Sequence, residues 1–367
     1  MKKIKILYIV PSLRLCNGIA SYAMNYFRNI DNNNIQIDFI IGANEKSEYF
    51  DEIEKKGSKI YYIPKIEGIM NFFNVIKMIK NFFRDNKYDI IHCHVLNMGA
   101  FYLHYAKKYK VPIRILHSHA TKYADSSLNN FRNMFLAKIA VKNANTYYAC
   151  SNLAGKFLFR NQQFEIINNA INIENFKYNI EKRKQIRKEE KINDNEILIG
   201  NIGRFVPQKN LFFLIDIFKQ LTKKSNKYKM ILIGTGPQEK KLLEKIKENG
   251  LTDKVIIKKN ITNVNEYMQA MDVFVLPSLY EGLPVVGIEA QASDLTCLLA
   301  NTISQEAKIT ANVKFLPITD EKFWIEEINK LEKRNRKDVS EIILKSGYDI
   351  KTESKKLIDK YQELCKK

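Results

Sequence analysis

Val273-Phe274-Val275-Leu276-Pro277-Ser278-Leu279-Tyr280-Glu281-Gly282-Leu283-Pro284-Val285-Val286-Gly287-Ile288-Glu289-Ala290-Gln291-Ala292 is the stretch that decides the fold. Its apolar opening reads as a buried parallel strand entering a turn at Pro277-Ser278. Gly282 and Pro284 punctuate a loop, and Glu289-Ala290-Gln291-Ala292 reads as the first turn of a helix. A strand end, a Gly/Pro loop and a helix start are the parts of a ligand crevice in an open α/β sheet. Glu281 and Glu289 put two carboxylates there, and each accepts several strong hydrogen bonds, so the pair suits a hydroxyl-rich ligand.

Outward from this stretch, strands and helices alternate at short spacing. Strands are predicted at 3–10, 35–41, 59–63, 89–94, 113–117 and 146–150, with helices at 19–29, 69–83, 100–109, 128–142 and 152–159. After a segment near 166–180 and a charged helix over 180–191, a second series runs through strands at 197–200, 229–234, 255–258 and 273–276. Helices at 211–221, 238–249 and 264–271 separate them, and an amphipathic helix closes the chain at 354–364. This pattern predicts an α/β protein with two parallel, doubly wound halves, and 367 residues suit two domains better than one core.

Three further segments carry chemistry. Gly200-Asn201-Ile202-Gly203-Arg204-Phe205-Val206-Pro207-Gln208-Lys209-Asn210 follows a buried strand and precedes a helix. Arg204 and Lys209 would add two cations where a helix N-terminus already favours an anion, which suits a diphosphate. Gly234-Thr235-Gly236-Pro237 ends a strand at a glycine turn, a partial dinucleotide fingerprint because position 239 is Glu. His92-Cys93-His94 and His117-Ser118-His119 each place two histidines on one side of a strand, so a metal is conceivable. No carboxylate cluster stands beside them and no Asp-x-Asp triplet occurs in the chain, so no metal is expected.

The Glu281-x7-Glu289 spacing, the Gly203-Arg204…Lys209-Asn210 run and the glycine turn together resemble the retaining glycosyltransferases of family 4, the group 1 class. The likeness spans nearly the whole chain and is strongest over 199–303. Tyr280-Glu281-Gly282-Leu283-Pro284 and Glu289-Ala290-Gln291 resemble the bacterial capsular and exopolysaccharide branch. The resemblance implies a GT-B fold, with two Rossmann-like parallel-sheet domains facing across a cleft. They would be an acceptor-side domain at 1–170 and a donor-binding domain at 171–350, with a helix at 351–367 crossing back to the first. It implies transfer of a hexosyl unit from a nucleoside-diphosphate sugar, a UDP-sugar, to a lipid-linked saccharide, with retention and without a metal or other cofactor. By the same likeness Arg204 and Lys209 hold the diphosphate, Glu289 the ribose, and Glu281 with Gly282, Leu283 and Pro284 the donor sugar. Gly18, Gly203, Gly234 and Gly236 would give the donor access to the backbone, and His119, with His117 as the alternative, would sit near the reacting carbon.

Departures exist. Asn17-Gly18 stands where the family has a glycine pair, and Asn17 tolerates a left-handed backbone better than other residues. In 167–172 Ala170 replaces a Gly and Asn172 an Asp, and Asp294 stands where relatives often carry Gly. A nucleotide-sugar 2-epimerase of the same fold, a silent donor-binding subunit and a nicotinamide oxidoreductase are the alternatives.

Composition bounds the setting. Apolar content of 45% with 27% charged residues fits a globular protein in water. The run after Met1 stops at Pro11, too short for a signal sequence, and a cytoplasmic enzyme is expected. Cysteines at 16, 93, 150, 297 and 365 lack CxxC spacing and read as reduced thiols. The formal charge of +20 reflects in part a general richness in Lys, Asn and Ile. Between residues 67 and 142, twelve Lys/Arg face four Asp/Glu. Such a surplus suits polyanions in general, nucleic acid, anionic lipid or phosphorylated substrates; with the apolar helix at 69–83 an anionic membrane surface is expected, and the family resemblance implies no nucleic-acid partner.

Overall fold

A computed structural model describes residues 3–15, 17–31, 33–42, 47–66, 68–123, 127–331 and 335–366. Cys16, Glu67 and the side chains of Ile69 and Met70 lie outside what is described. Two compact units emerge: Met1–Ala170 with Ile350–Lys367, and Ile171–Asp349.

The first unit holds strands β1 (Ile4–Val10), β2 (Ile35–Ile41), β3 (Ile60–Tyr62), β4 (Ile90–Cys93), β5 (Ile113–Ser118), β6 (Thr146–Ala149) and β7 (Glu165–Ile166). They form one sheet in the order β3-β2-β1-β4-β5-β6-β7, parallel throughout. Its helices are α1 (Gly18–Asn29), α2 (Phe50–Lys55), α3 (Gly68–Asp85), α4 (Gly99–Lys108), α5 (Ser127–Asn143) and α6 (Asn152–Phe159).

The second unit holds α7 (Ile180–Glu189), β8 (Ile197–Ile202), α8 (Leu211–Lys224), β9 (Tyr228–Ile233), α9 (Glu239–Glu248), β10 (Val255–Lys258), α10 (Val264–Ala270) and β11 (Val273–Leu276). It continues through α11 (Val285–Ala292), β12 (Thr296–Ala300), β13 (Val313–Leu316), α12 (Glu321–Asn329) and α13 (Ser340–Lys345). Its parallel sheet runs β10-β9-β8-β11-β12-β13. The last helix, α14 (Ile350–Lys366), belongs to the first unit, where Ile350, Leu357 and Tyr361 join the core.

The first sheet is covered on both faces, which explains its largely apolar strands. Along β1, Ile6, Tyr8 and Val10 enter one core with α1 and α14, whereas Leu7 and Ile9 enter another with α3, α4 and α5. In each sheet the strand order reverses beside the first strand of the unit, between β1 and β4 and between β8 and β11. Loops leaving the C-terminal ends of these strands are where open α/β sheets take their ligands.

Helix α3 buries one face and exposes another. Val75, Ile79 and Phe83 are buried core residues, while Phe73, 72% exposed, and Met78 point outward with Lys77 and Lys80. Two phenylalanines of α5, Phe131 and Phe135, are likewise exposed. No described helix is long and apolar enough to cross a membrane.

Candidate functional site

Three loops at the C-terminal ends of the adjacent strands β9, β8 and β11 assemble the site of the second unit. The chain after β8 runs through Gly203, Arg204 and Phe205 into a single 3₁₀ turn, Pro207–Lys209, and then into α8. It is stitched to both neighbours. Phe205 N–H donates to Thr235 O at 2.8 Å, and Gln238 N–H donates to Phe205 O at 3.0 Å. Leu279 N–H donates to Gln208 O at 2.8 Å, and Gln208 Nε2 donates to Tyr280 O at 2.9 Å.

The glycines of the β9 turn have a reason within the chain itself. A Cβ on Gly234 would stand 1.9 Å from Gly203 O, and one on Gly236 would stand 2.4 Å from Phe205 O. Both contacts are sterically forbidden, so these positions need glycine for the β8 loop to lie where it does.

Within this frame Lys209 Nζ lies 2.6 Å from Glu281 Oε1, with each side chain only 12% exposed. Ser278 Oγ donates to the same carboxylate oxygen at 2.9 Å. The sequence reading gave Lys209 and Glu281 separate tasks; the fold makes them an ion pair. Arg204 is exposed and has no ion-pair partner among the described residues. Gly282, Leu283 and Pro284 are buried and lead directly into α11.

Helix α11 starts at Val285, capped by Pro284, so Glu289 sits in its second turn and does not open it. The run Val285-Val286-Gly287-Ile288 has strand-like propensity, but burial of Val285, Gly287 and Ile288 makes it a core helix. Glu289 is partly buried, and burial pushes its carboxyl up to about 7.

In the first unit, Gly18 is the first residue of α1 and Asn17 is its N-cap. Asn17 is extended at φ −98°, not left-handed; its Oδ1 accepts from Ile19 N–H at 3.0 Å and Ala20 N–H at 3.4 Å. The asparagine therefore works as a helix cap where the family has glycine. A Cβ on Gly18 would meet nothing within 4 Å, so no neighbour in the chain demands glycine there.

His119 belongs to a larger array. His92 and His94 at the end of β4 meet His117 and His119 at the end of β5. His92 Nε2 is 3.0 Å from His117 Nδ1, and His94 Nδ1 is 2.9 Å from His119 Nε2. Tyr361 of α14 holds His92 Nδ1 at 2.6 Å and shares a 2.9 Å hydroxyl contact with Tyr8. Tyr22 of α1 packs against His94, His117 and His119 with ring centroids 5.1–5.4 Å away. Burial lowers all four histidines, His119 to about 3, so the array is neutral at physiological pH. His117 is 3% exposed, whereas His119 keeps partial access to solvent. The paired His-x-His spacing signals the convergence, but the tyrosines of α1 and α14 are too distant in sequence to be foreseen.

The comparisons with known proteins agree with this architecture. Residues 182–344 match the glycosyl transferases group 1 family, and residues 16–175 match glycosyltransferase family 4. The chain is 28% identical over 380 residues to EpsF of Bacillus subtilis, named as a glycosyltransferase, covering 97% of this chain and 96% of EpsF. It is 24% identical over 319 residues to the UDP-Gal:alpha-D-GlcNAc-diphosphoundecaprenol alpha-1,3-galactosyltransferase of Escherichia coli, covering 82% and 80% of the two chains. Among solved structures, Anabaena Alr3699/HepE in complex with UDP-glucose superimposes with a TM-score of 0.79 at 15% identity, over 98% of this chain and 100% of that one. The chain belongs to the group 1, family 4 glycosyltransferases and has their GT-B fold.

Proposed function

We propose that this glycosyltransferase moves a hexosyl unit from a UDP-sugar to a lipid-linked saccharide in surface polysaccharide synthesis, retaining anomeric configuration and needing no metal. One observation carries the reading: the loops after β8 and β11 bring Arg204, Lys209 and Glu281 to one end of a single sheet, and Glu289 lies on the helix that follows the second loop. Support comes from the UDP-glucose held by HepE and from the diphosphoundecaprenol acceptor in the name of the E. coli relative.

The chemistry assigns the roles. When the bond from the anomeric carbon to the diphosphate breaks, negative charge grows on the leaving oxygens. Arg204 and Lys209 stabilise that charge, and fixed electrostatics of this kind is often the largest catalytic contribution. Glu289 accepts hydrogen bonds from the ribose hydroxyls. Glu281 and the backbone of Gly282, Leu283 and Pro284 orient the sugar. Gly18, Gly203, Gly234 and Gly236 leave backbone open to the donor. His119, neutral, gives the sugar a hydrogen bond and is not a general acid. The acceptor hydroxyl attacks on the face the diphosphate leaves, and its proton passes to the departing phosphate oxygen.

The test is product analysis with UDP-sugars and undecaprenyl-diphosphate saccharides, with and without EDTA. The expected product is an elongated acceptor with the donor's anomeric configuration, formed at an unchanged rate in EDTA. Inversion, rescue of a chelated enzyme by Mn²⁺ or Mg²⁺, or an epimerised sugar nucleotide formed without acceptor would each overturn part of this reading.

A lipid-linked acceptor calls for membrane contact. Phe73 and Met78 of α3 and Phe131 and Phe135 of α5 are exposed on helices that also present Lys77, Lys80, Arg132 and Lys138 to solvent. Each engaged cation near anionic lipid contributes about 1 kcal/mol, so a few suffice for reversible binding. Flotation is expected with phosphatidylglycerol vesicles at low salt, with loss at high salt and on neutral vesicles. Absence of binding at low salt would make the acceptor a water-soluble saccharide.

A further inference from the structure

We propose that His92, His94 and His117 form a buried binding site for one zinc-class divalent cation, beside His119 and without a role in bond breaking. One atom from each of the three side chains lies within 4.8 Å of the others, and all three residues are buried. Two of the ring nitrogens, His94 Nε2 and His117 Nε2, have no hydrogen-bond partner among the described residues, and neither has Tyr22 Oη. Buried polar atoms are nearly always paired, so two unpaired imidazole nitrogens and an unpaired hydroxyl on rings that pack against one another mark a place for a polar guest.

The donor set decides which guest. The strand pleat sends His92 and His94 to one face and Cys93 to the other, where its sulfur lies near Gly99 and away from the histidines. The site is thus all imidazole, a preference of Zn²⁺, Co²⁺, Ni²⁺ and Cu²⁺ and not of Mg²⁺ or Ca²⁺. Tetrahedral nitrogen ligands sit about 3.3 Å apart around zinc, so side-chain rotations drawing the rings together complete the set. With Nε2 of each ring on the ion, every Nδ1 carries the proton. His94 Nδ1–H then donates to His119 Nε2, and His92 Nδ1–H donates to Tyr361, whose hydroxyl turns to Tyr8. These are the outer hydrogen bonds that orient metal-bound histidines. The hydrogen bond between His92 and His117 is given up.

Metal-stripped full-length protein titrated with Co²⁺ tests this directly. One ion per chain should bind with the visible bands of tetrahedral cobalt, Zn²⁺ should displace it, and the zinc form should melt at higher temperature. X-ray absorption of the zinc form should show nitrogen scatterers at about 2.0 Å and no sulfur. His94→Gln and His117→Gln should each weaken Zn²⁺ binding about 100-fold or more, the loss of a ligand exceeding the 10–100-fold typical of outer-shell partners. His104→Gln, at an exposed histidine of α4, should leave binding unchanged. Failure of wild-type protein to bind cobalt stoichiometrically, sulfur in the zinc shell, or loss of binding on His104→Gln would overturn the site, and the first two need no variant to fold.

Discussion

Lys209→Ala is expected to lower kcat/KM by about 30- to 1000-fold while both sheets stay folded, which corresponds to about 2–4 kcal/mol of barrier. Lys209 meets Glu281 at 2.6 Å, and each side chain is only 12% exposed. An ammonium has three donor hydrogens, so Lys209 can hold Glu281 and still offer one to a phosphate oxygen. Its charge matters most as the leaving diphosphate gains charge, so the loss falls on turnover more than on donor binding. Removing it also takes one partner from Glu281, which keeps Ser278 as a donor. Leaving a part-buried acceptor short of a partner costs about 1–3 kcal/mol, a lowered melting temperature and not an unfolded chain. Circular dichroism and single-turnover kinetics on the same preparation separate the two effects. A folded variant with near-normal kcat/KM removes Lys209 from the site, and Lys209→Ala/Glu281→Gln should recover melting temperature without recovering rate.

The pairing of Lys209 with Glu281 also marks the limit of sequence reading. Each residue is recognisable by its own motif, because strand–loop–helix punctuation places it at a strand end. That the two meet depends on β8 and β11 being neighbours in the sheet, a fact that residues 72 positions apart do not display. The alternation of apolar runs with amphipathic segments is enough to read two parallel sheets, since only strands covered on both faces are apolar at successive positions, as Leu7 and Tyr8 are. Helix α11 is harder. Val285-Val286-Gly287-Ile288 has poor helix propensity, and only its burial makes it a helix. The histidine array is legible as two His-x-His pairs, yet Tyr8, Tyr22 and Tyr361 complete it from β1, α1 and α14. Local pattern encodes elements; the partners of a site come from topology.

Glu289→Gln is expected to make the unliganded protein more stable above pH 7 while weakening its hold on the donor. Burial raises the Glu289 carboxyl from 4.5 to about 7. Between those values the folded protein holds a proton that the unfolded chain has released, so stability falls as pH rises through this window. Below pH 4.5 the group contributes no penalty; above pH 7 the penalty is complete, about 3 kcal/mol at 1.36 kcal/mol per pKa unit. Glutamine matches the protonated acid in shape and has no charge to desolvate. Its melting temperature should equal that of the wild type at pH 4.5 and exceed it at pH 8. The wild type accepts this cost because an ionised carboxylate holds two ribose hydroxyls better than an amide does. Donor binding should therefore expel the remaining proton, and wild-type affinity for a UDP-sugar should rise between pH 6 and 8 while that of the glutamine variant stays low and flat. Calorimetry in buffers of different ionisation enthalpy reads the released proton. Equal melting curves at pH 8 would show that burial does not strain Glu289, and a donor affinity in the variant that matches the wild type would show that the nucleotide does not engage it.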